Sequence, residues 1–277
     1  MNSFKLKYLA QTEGTIVTNE SNLSVCLTAD GFVFALVGKD FTLKALGEFS
    51  VELQGSIPQV MMNMKTCFNS IGVHIFNFNK VRIICPADRN VWIPFKLYDQ
   101  TKNKEYLKQT NAVYSSDTIL SNVCNKIDAV NIFAFPLHQY SGMKIVMPKA
   151  EFVSTSQVLT EYAFDVSSLM QNTIVLHKNN NRVEIAVFKA SQFTLANSFD
   201  YKTPQDIIYF LLYTLKQLNI STAEVNLMIT GEEYTEEELL LLKRYIKNVS
   251  YANPTENINI PMEFNGIDLQ KYFFLLV

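Results

Sequence analysis

Asp206, Glu232, Glu233, Glu236, Glu237 and Glu238 gather in two short stretches of the chain, and paired carboxylates are what general acid–base or metal-assisted chemistry needs. Their setting points elsewhere. Asp206 follows Thr203-Pro204, and Glu236 to Glu238 follow Thr235, so most of these acids fall in the first turn of predicted helices, against the positive end of the dipole. Ser141-Gly142 and Ser154 lack the GxSxG frame that raises a nucleophile on a strand-to-helix elbow. His74, His138 and His177 are too far apart for a local motif such as HExxH. Cys26, Cys67, Cys85 and Cys124 show no CxxC spacing and lie in or beside apolar segments, which reads as buried free thiols rather than disulfides or a zinc site. Trp92 and the many Tyr and Phe residues are not interleaved with Arg and Lys as an RNA-reading sheet requires, so they read as core. Nucleic acid is therefore not expected as a partner.

Turns remain as the candidate chemistry: Asp30-Gly31, the run Asn179-Asn180-Asn181, and Gly231 after Ile229-Thr230. Each closes a segment whose pattern predicts a strand. Leu23, Val25 and Leu27 alternate with Ser24, Cys26 and Thr28, a period of two that buries one face. Asp30-Gly31 suits a tight hairpin turn, Phe32 to Val37 is apolar on both faces and belongs inside a covered sheet, and Thr42 to Glu52 supplies a third strand. Ser56-Ile57-Pro58 opens a helix carrying Val60, Met61, Met64 and Phe68. The pattern then returns. Ile174 to Lys178 and Arg182 to Phe188 flank the three asparagines, which tolerate left-handed turn geometry. Gln192 to Tyr201 is a third strand, Thr203-Pro204 opens a helix, and Val225 to Ile229 is a further strand. Strand-strand-strand-helix-strand thus occurs twice.

Around these units, Val73 to Phe78, Val81 to Cys85 and Ala129 to Phe135 read as strands, and Thr155 to Met170 as a helix with Leu159, Tyr162, Ala163, Val166 and Leu169 on one face. Thr235 with Glu238 forms a TxxE capping box for a helix over Glu236 to Ile246, and Phe273 to Val277 reads as a final strand. A division near Met170 to Asn172 separates a first domain, residues 1–170, from a second, residues 171–277.

Val91-Trp92-Ile93-Pro94 leading into Phe95-Lys96-Leu97-Tyr98, the later Glu105-Tyr106-Leu107, and the run Ile127 to Pro136 before Leu137-His138 resemble a small uncharacterised bacterial family with an actin-like ATPase fold. That family is more distantly similar to the type IV pilus assembly protein of the actin, Hsp70 and sugar-kinase superfamily. The resemblance implies an α/β fold of two ribonuclease-H-like lobes, each a mixed sheet with three antiparallel strands followed by helix-strand units. It also implies a site, because superfamily members hold ATP with backbone amides of the first hairpin turn in each half. Carried onto this chain, the remnant cleft positions are Asp30, Gly31, Asn179, Asn180, Asn181 and Gly231. The match is poor in its chemistry. Phe32 and Val33 follow the first turn where small residues are expected, three asparagines replace a glycine-rich second turn, and Glu232 and Glu233 beside Gly231 would repel a polyphosphate.

Composition sets the remaining bounds. The 277 residues are 48% apolar and 18% charged with a formal charge of −2, a globular balance with no global pull toward nucleic acid or acidic membrane. The stretch Met1 to Gly14 lacks the apolar core of a secretory signal, and the longest apolar runs, Phe32 to Val37 and Ile207 to Tyr213, fall short of the roughly 18 residues that cross a bilayer. A cytoplasmic location without membrane insertion is expected. The polar segment 99–114, inserted in the first lobe and exceeding what a connection needs, is the expected partner surface, with Lys102 to Lys108 at its centre. The sequence therefore predicts a non-catalytic binding or assembly protein on a degenerate actin-like fold, with protein partners and no cofactor. The alternative is a divergent nucleotide-binding ATPase using ATP and magnesium; a third reading is an unrelated α+β domain whose apparent duplication is coincidence.

Overall fold

The alternating segments pair as their patterns demand. A computed structural model describes residues 4–13, 18–73, 78–86, 88–168 and 171–277. β1 (Phe4–Gln11), β2 (Ser21–Thr28), β3 (Gly31–Gly38) and β4 (Leu43–Val51) are followed by helix α1 (Ile57–Ser70) and β5 (Lys80–Cys85). β3 lies antiparallel between β2 and β4, and β5 returns parallel to β2. β6 (Asn90–Pro94), α2 (Asn103–Lys108), β7 (Asp117–Cys124) and β8 (Ala129–Pro136) come next, and their three strands make a separate antiparallel sheet with β8 in the middle. After α3 (Leu137–Val146), β9 (Glu151–Ser154) joins β5 in parallel and completes a first sheet ordered β1-β4-β3-β2-β5-β9.

Helix α4 (Thr155–Asp165) leads to the second half: β10 (Asn172–Asn179), β11 (Arg182–Lys189), β12 (Gln192–Asp200), α5 (Pro204–Gln217), β13 (Val225–Gly231), α6 (Glu236–Tyr245) and β14 (Asn248–Tyr251). Their order is β12-β11-β10-β13-β14. This is the order β4-β3-β2-β5-β9 over again, with the same antiparallel and parallel senses. The duplication is thus one of topology, and the reading as coincidence falls. The three-stranded sheet is inserted in the first half between β5 and α3, the helix that takes the place of α6 in the second.

Three cores follow from the strand patterns. Leu23, Val25 and Leu27 of β2 and Phe32, Phe34 and Leu36 of β3 face α1 and α3. Phe68 of α1 packs edge-on to Phe34 at 5.3 Å and stacked on Phe32 at 5.5 Å. Ile174, Leu176, Val183 and Ile185 face α5 and α6 in the same way. The intervening residues, Cys26, Val33 and Ala35 in one sheet and Val175, Ala186 and Phe188 in the other, share a third core with α4 and the end of the chain. Strands covered on both faces read as continuous apolar runs, which is what Phe32 to Val37 displays.

The end of the chain departs from expectation. Phe273 to Val277 forms no strand; Phe273–Leu276 is a short helix, α7, with all four side chains buried. A run of four apolar residues looks the same for a buried strand and a helix apolar all round, and here the run packs on β2 and β3, interior strands with no free edge to pair with. Phe273 meets Tyr162 of α4 edge-on at 4.9 Å, Phe274 lies 4.1 Å from the His177 ring of β10, and Arg82 of β5 donates to the carbonyl of Val277 at 2.6 Å. The residues leading there also return to the first sheet, where Asn259 bridges to Thr42.

Smaller differences concern boundaries. α4 ends at Asp165, short of Met170, and of its expected apolar face Leu169 lies outside the described residues, as do residues 74–77 of the strand expected over Val73 to Phe78. Ser56 precedes α1 without a capping side-chain bond, whereas Asp206 accepts from the Thr203 amide at 2.9 Å and the Thr235–Glu238 box closes in both directions. Strands β1, β7 and β9 and helix α3 carry no clear sequence pattern. Among the described residues no helix is long and apolar enough to cross a membrane. Because Phe273 fills the joint from both sides, Phe273→Ala is expected to cost about 3–5 kcal/mol in urea unfolding, while Leu240→Ala, on the exposed face of α6, should change stability by less than about 0.5 kcal/mol.

Candidate functional site

The second hairpin turn is held shut by its own neighbours. Asn179 ends β10, Asn180 takes a left-handed φ of 36°, and Asn181 precedes β11. β13 pairs alongside so that Lys178 stands opposite Gly231. Gly231 has a φ of 96°, and a Cβ there would lie 2.1 Å from the Lys178 carbonyl. Only glycine allows this close approach. The strands thereby bring Glu232 over the turn, where its carboxylate accepts from the Asn180 amide at 2.8 Å. The backbone donor that would face a phosphate thus already holds an anion from the chain itself.

Lys178, the cation next to that turn, is equally committed. Its ammonium donates to Glu238 at 2.7 Å and to the Glu233 carbonyl at 2.5 Å, and it lies 4.6 Å from the centre of the Tyr234 ring. The Lys178 and Glu238 side chains are only 6% and 7% exposed. Glu238 also accepts from the Thr235 amide at 2.7 Å, so one carboxylate closes a helix cap and neutralises a buried lysine. Burial pushes the Tyr234 phenol well above its ordinary range.

The first turn is built differently. Thr28 pairs with Gly31, so the two turn residues are Ala29 and Asp30, one position earlier than the Asp-Gly dipeptide indicates. Neither has a positive φ. Gly31 instead begins β3, where a Cβ would lie 2.1 Å from the Phe49 carbonyl. Asp30 is engaged by Lys7 of β1 at 2.5 Å, which holds its carboxyl below the usual range. Lys7 also pairs with Glu48, and Glu48 with Lys271, each at 3.1 Å. Gly231 and Asn180 are therefore brought together, whereas among the described residues no hydrogen bond or ion pair joins Asp30 or Gly31 to them. Phe32 is fully buried and Val33 nearly so, leaving no small-residue surface after the turn.

Other sequence candidates resolve as structure. Ser154 caps α4, accepting from the Gln157 amide at 2.9 Å and donating to Asn131 at 2.6 Å. Ser141 lies within α3, and Gly142 packs on Val60 of α1. The four cysteines are free and buried, with the thiols of Cys26, Cys67 and Cys124 pushed up to about 12 by loss of hydration. His177 is buried against Phe274, and burial lowers its pKa to about 3. His74 lies outside the described residues. Among those residues, no three His, Cys, Asp or Glu side chains form a group able to hold a metal. The segment 99–114 covers the three-stranded sheet, with Leu107 of α2 fully buried and Tyr106 donating to the Leu97 carbonyl at 2.9 Å.

A hollow of about 450 Å³ opens elsewhere, between β7, α3 and β9. β7 and β9 are each the last strand of their sheets, so both turn a strand edge toward solvent. Leu120, Val123, Tyr140 and Phe152 give it apolar walls, and Lys144 stands at its side. Two lining side chains are left wanting: the amide oxygens of Asn122 and Gln157 are buried without a hydrogen-bond partner. The sequence reading misses the hollow because edge pairing is invisible in a local pattern, and the uniformly half-buried β7 gives no alternation to read.

Comparison with known proteins agrees with this architecture. A family model described as a protein of unknown function (DUF3822) matches residues 11–249. No curated protein matches the sequence. Among solved structures, a Bacteroides thetaiotaomicron protein with an actin-like ATPase fold and unknown function superposes with a TM-score of 0.77 at 24% identity, over 95% of this chain and 100% of that one. The PilM–PilN type IV pilus biogenesis complex gives 0.59 at 10% identity, over 92% and 96%. The fold is therefore that of the actin-like ATPases.

The buried pair at the second turn is directly testable. Lys178→Met and Glu238→Gln are each expected to destabilise by about 3 kcal/mol, because each leaves a partner unpaired away from water. The double variant should lose less than the sum of the two, as read from urea unfolding in a double-mutant cycle.

Proposed function

We propose that this chain, which belongs to the DUF3822 family of unknown function, is a non-catalytic binding protein that holds an extended segment of a protein partner. The hollow between β7 and β9 carries this reading. Two unpaired strand edges offer backbone donors and acceptors to an added strand. An extended polypeptide supplies both, together with apolar side chains for Leu120 and Phe152 to receive. The solved neighbour PilM is itself recorded with a protein, PilN, which favours a polypeptide occupant over a small molecule.

The alternative, a divergent nucleotide-binding ATPase, is disfavoured by the second turn. A polyphosphate would have to displace Glu232 from the Asn180 amide and would meet Glu233 beside it. Lys178 is unavailable to compensate, since it is held by Glu238. The first turn offers Asp30 bound to Lys7 and then the bulky Phe32. Protein binding in a cytoplasmic setting, with no cofactor, is the function this arrangement serves best.

Two measurements separate the readings. ATP or ADP with magnesium at millimolar concentration is expected to leave the melting temperature unchanged, because a ligand that does not bind the folded state cannot stabilise it; a magnesium-dependent rise would restore the ATPase reading. Selection of random peptides displayed on phage should enrich apolar segments whose binding weakens by at least about tenfold in Val123→Glu, a change of about 1.4 kcal/mol. Undiminished binding in that variant sinks the hollow, and loss on charge reversal across Lys102, Lys104 and Lys108 would move the partner to the α2 surface.

A further inference from the structure

β12 is a bare edge where the first half has none. Its counterpart β4 is flanked by β1, whereas among the described residues no strand pairs with the outer side of β12. It is also the longest edge strand, nine residues against eight in β1 and β7. Long exposed edges take up another strand unless a charge, a proline or a bulge blunts them. β1 carries Lys5 and Lys7, and β6 ends at Pro94; from Gln192 to Phe199, β12 has neither charge nor proline. Asp200 at its end is neutralised within the chain by Arg182 at 2.8 Å. One extra residue, Thr194, sits between the pairs Val187–Leu195 and Phe188–Phe193, so the regular edge runs from Leu195 onward. Before it, Phe193 packs on Trp92 at 5.2 Å; beyond it, Leu195 and Phe199 join the core under α5.

The free backbone groups of this edge can be assigned. The Tyr201 amide donates to the Asn181 carbonyl at 2.8 Å, so by the alternation of an antiparallel ladder Phe199 and Asn197 also aim their amides at β11, and Ala196 and Ser198 aim theirs outward. The Ser198 amide is accordingly met by the Asn197 side-chain oxygen, at 2.8 Å. Above the edge, α5 turns an aromatic flank to solvent. Phe210 stacks on Phe199 at 4.6 Å, and helical spacing puts Tyr213 and Gln217 on the same flank. Tyr209 meets Phe210 at 5.5 Å and Tyr213 at 6.0 Å, and these two tyrosines are 62% and 51% exposed.

We propose that β12 is a dimerisation edge: two copies of this chain pair antiparallel through Leu195 to Phe199 about a two-fold axis at Asn197, and the aromatic flank of α5 is covered by the same flank of the second copy. Such an interface must complement itself. The axis sets Leu195 against Phe199 of the second copy on the face that packs on α5, and lets Ala196 exchange both backbone bonds with Ser198 of the second copy. No like charges are opposed, since Asp200 comes against Thr194 of the second copy and is already paired with Arg182. The two α5 helices lie side by side and antiparallel, with opposite ends of their dipoles together. A foreign strand would cover the edge and leave Tyr209 and Tyr213 in water; a second copy covers both.

Sedimentation equilibrium of the whole chain is expected to show dimers. Tyr213→Glu sets like charges across the axis and should weaken them at least about tenfold, whereas Leu240→Glu, on the exposed face of α6, should leave them unchanged. Asn197→Cys should give a disulfide-linked dimer under mild oxidation, because a residue opposite itself at a non-hydrogen-bonded site has its Cα atoms about 4.5 Å apart. The four native thiols are buried, and Gln192→Cys, on the far side of Thr194, should not link. A monomer at concentrations up to about 100 μM overturns the proposal, as does a dimer that Tyr213→Glu leaves intact or that Asn197→Cys fails to link. If Tyr213→Glu fails to fold, the contrast between the two cysteine variants decides, and equal linking by both counts against the interface.

Discussion

Two sheets, each apolar on both faces, must be kept from water on four sides. The outer faces are covered by helices close in sequence, α1 and α3 on one and α5 and α6 on the other. The inner faces have no such local cover. They are dried by α4, which leaves the first sheet and lies across the second, and by α7, which arrives from the far end of the chain. This shared inner layer is the constraint on which everything else rests: it fixes which side chains of β2, β3, β10 and β11 meet, and it places the hairpin turns where they lie.

Within that frame, charged groups are spent on structure. Glu238 serves a helix cap and a buried lysine at once, Glu232 satisfies a turn amide, and Lys7 and Lys271 share Glu48 across β1, β4 and the approach to α7. Each assignment removes a donor or a charge that phosphate chemistry would use. The fold of the actin-like ATPases is thus retained while the charged groups at each of its two corresponding turns are paired with neighbours in the chain.

The parts legible in the sequence were those whose signals are local. Alternation in β2, the apolar segments of β10 and β11, the three asparagines of one turn, and the capping pair Thr235 and Glu238 all act within a few residues, and all appear as read. The actin-like likeness carried by Val91 to Tyr98 and Ile127 to Pro136 also holds, on β6, β8 and the turns beside them. What was not legible depends on partners distant in the chain. Glu232 reaches Asn180 across 52 positions, and the apolar run Phe273 to Leu276 packs on interior strands, where no edge is free for pairing. Asp-Gly misplaces the first turn by one residue since Gly31 is required by the Phe49 carbonyl of the next strand, a contact outside the turn itself.

The position of α7 sets an order of events during synthesis. Both sheets end in sequence at Tyr251, before the ribosome has added Phe273. Until that residue emerges, the inner layer around Ala35, Val175, Ala186 and Phe188 lacks its last buried aromatic and aliphatic side chains, and the nascent chain presents incompletely covered apolar surface able to stick to other chains. Completion of the inner layer is therefore a late step of synthesis, after both sheets have been made.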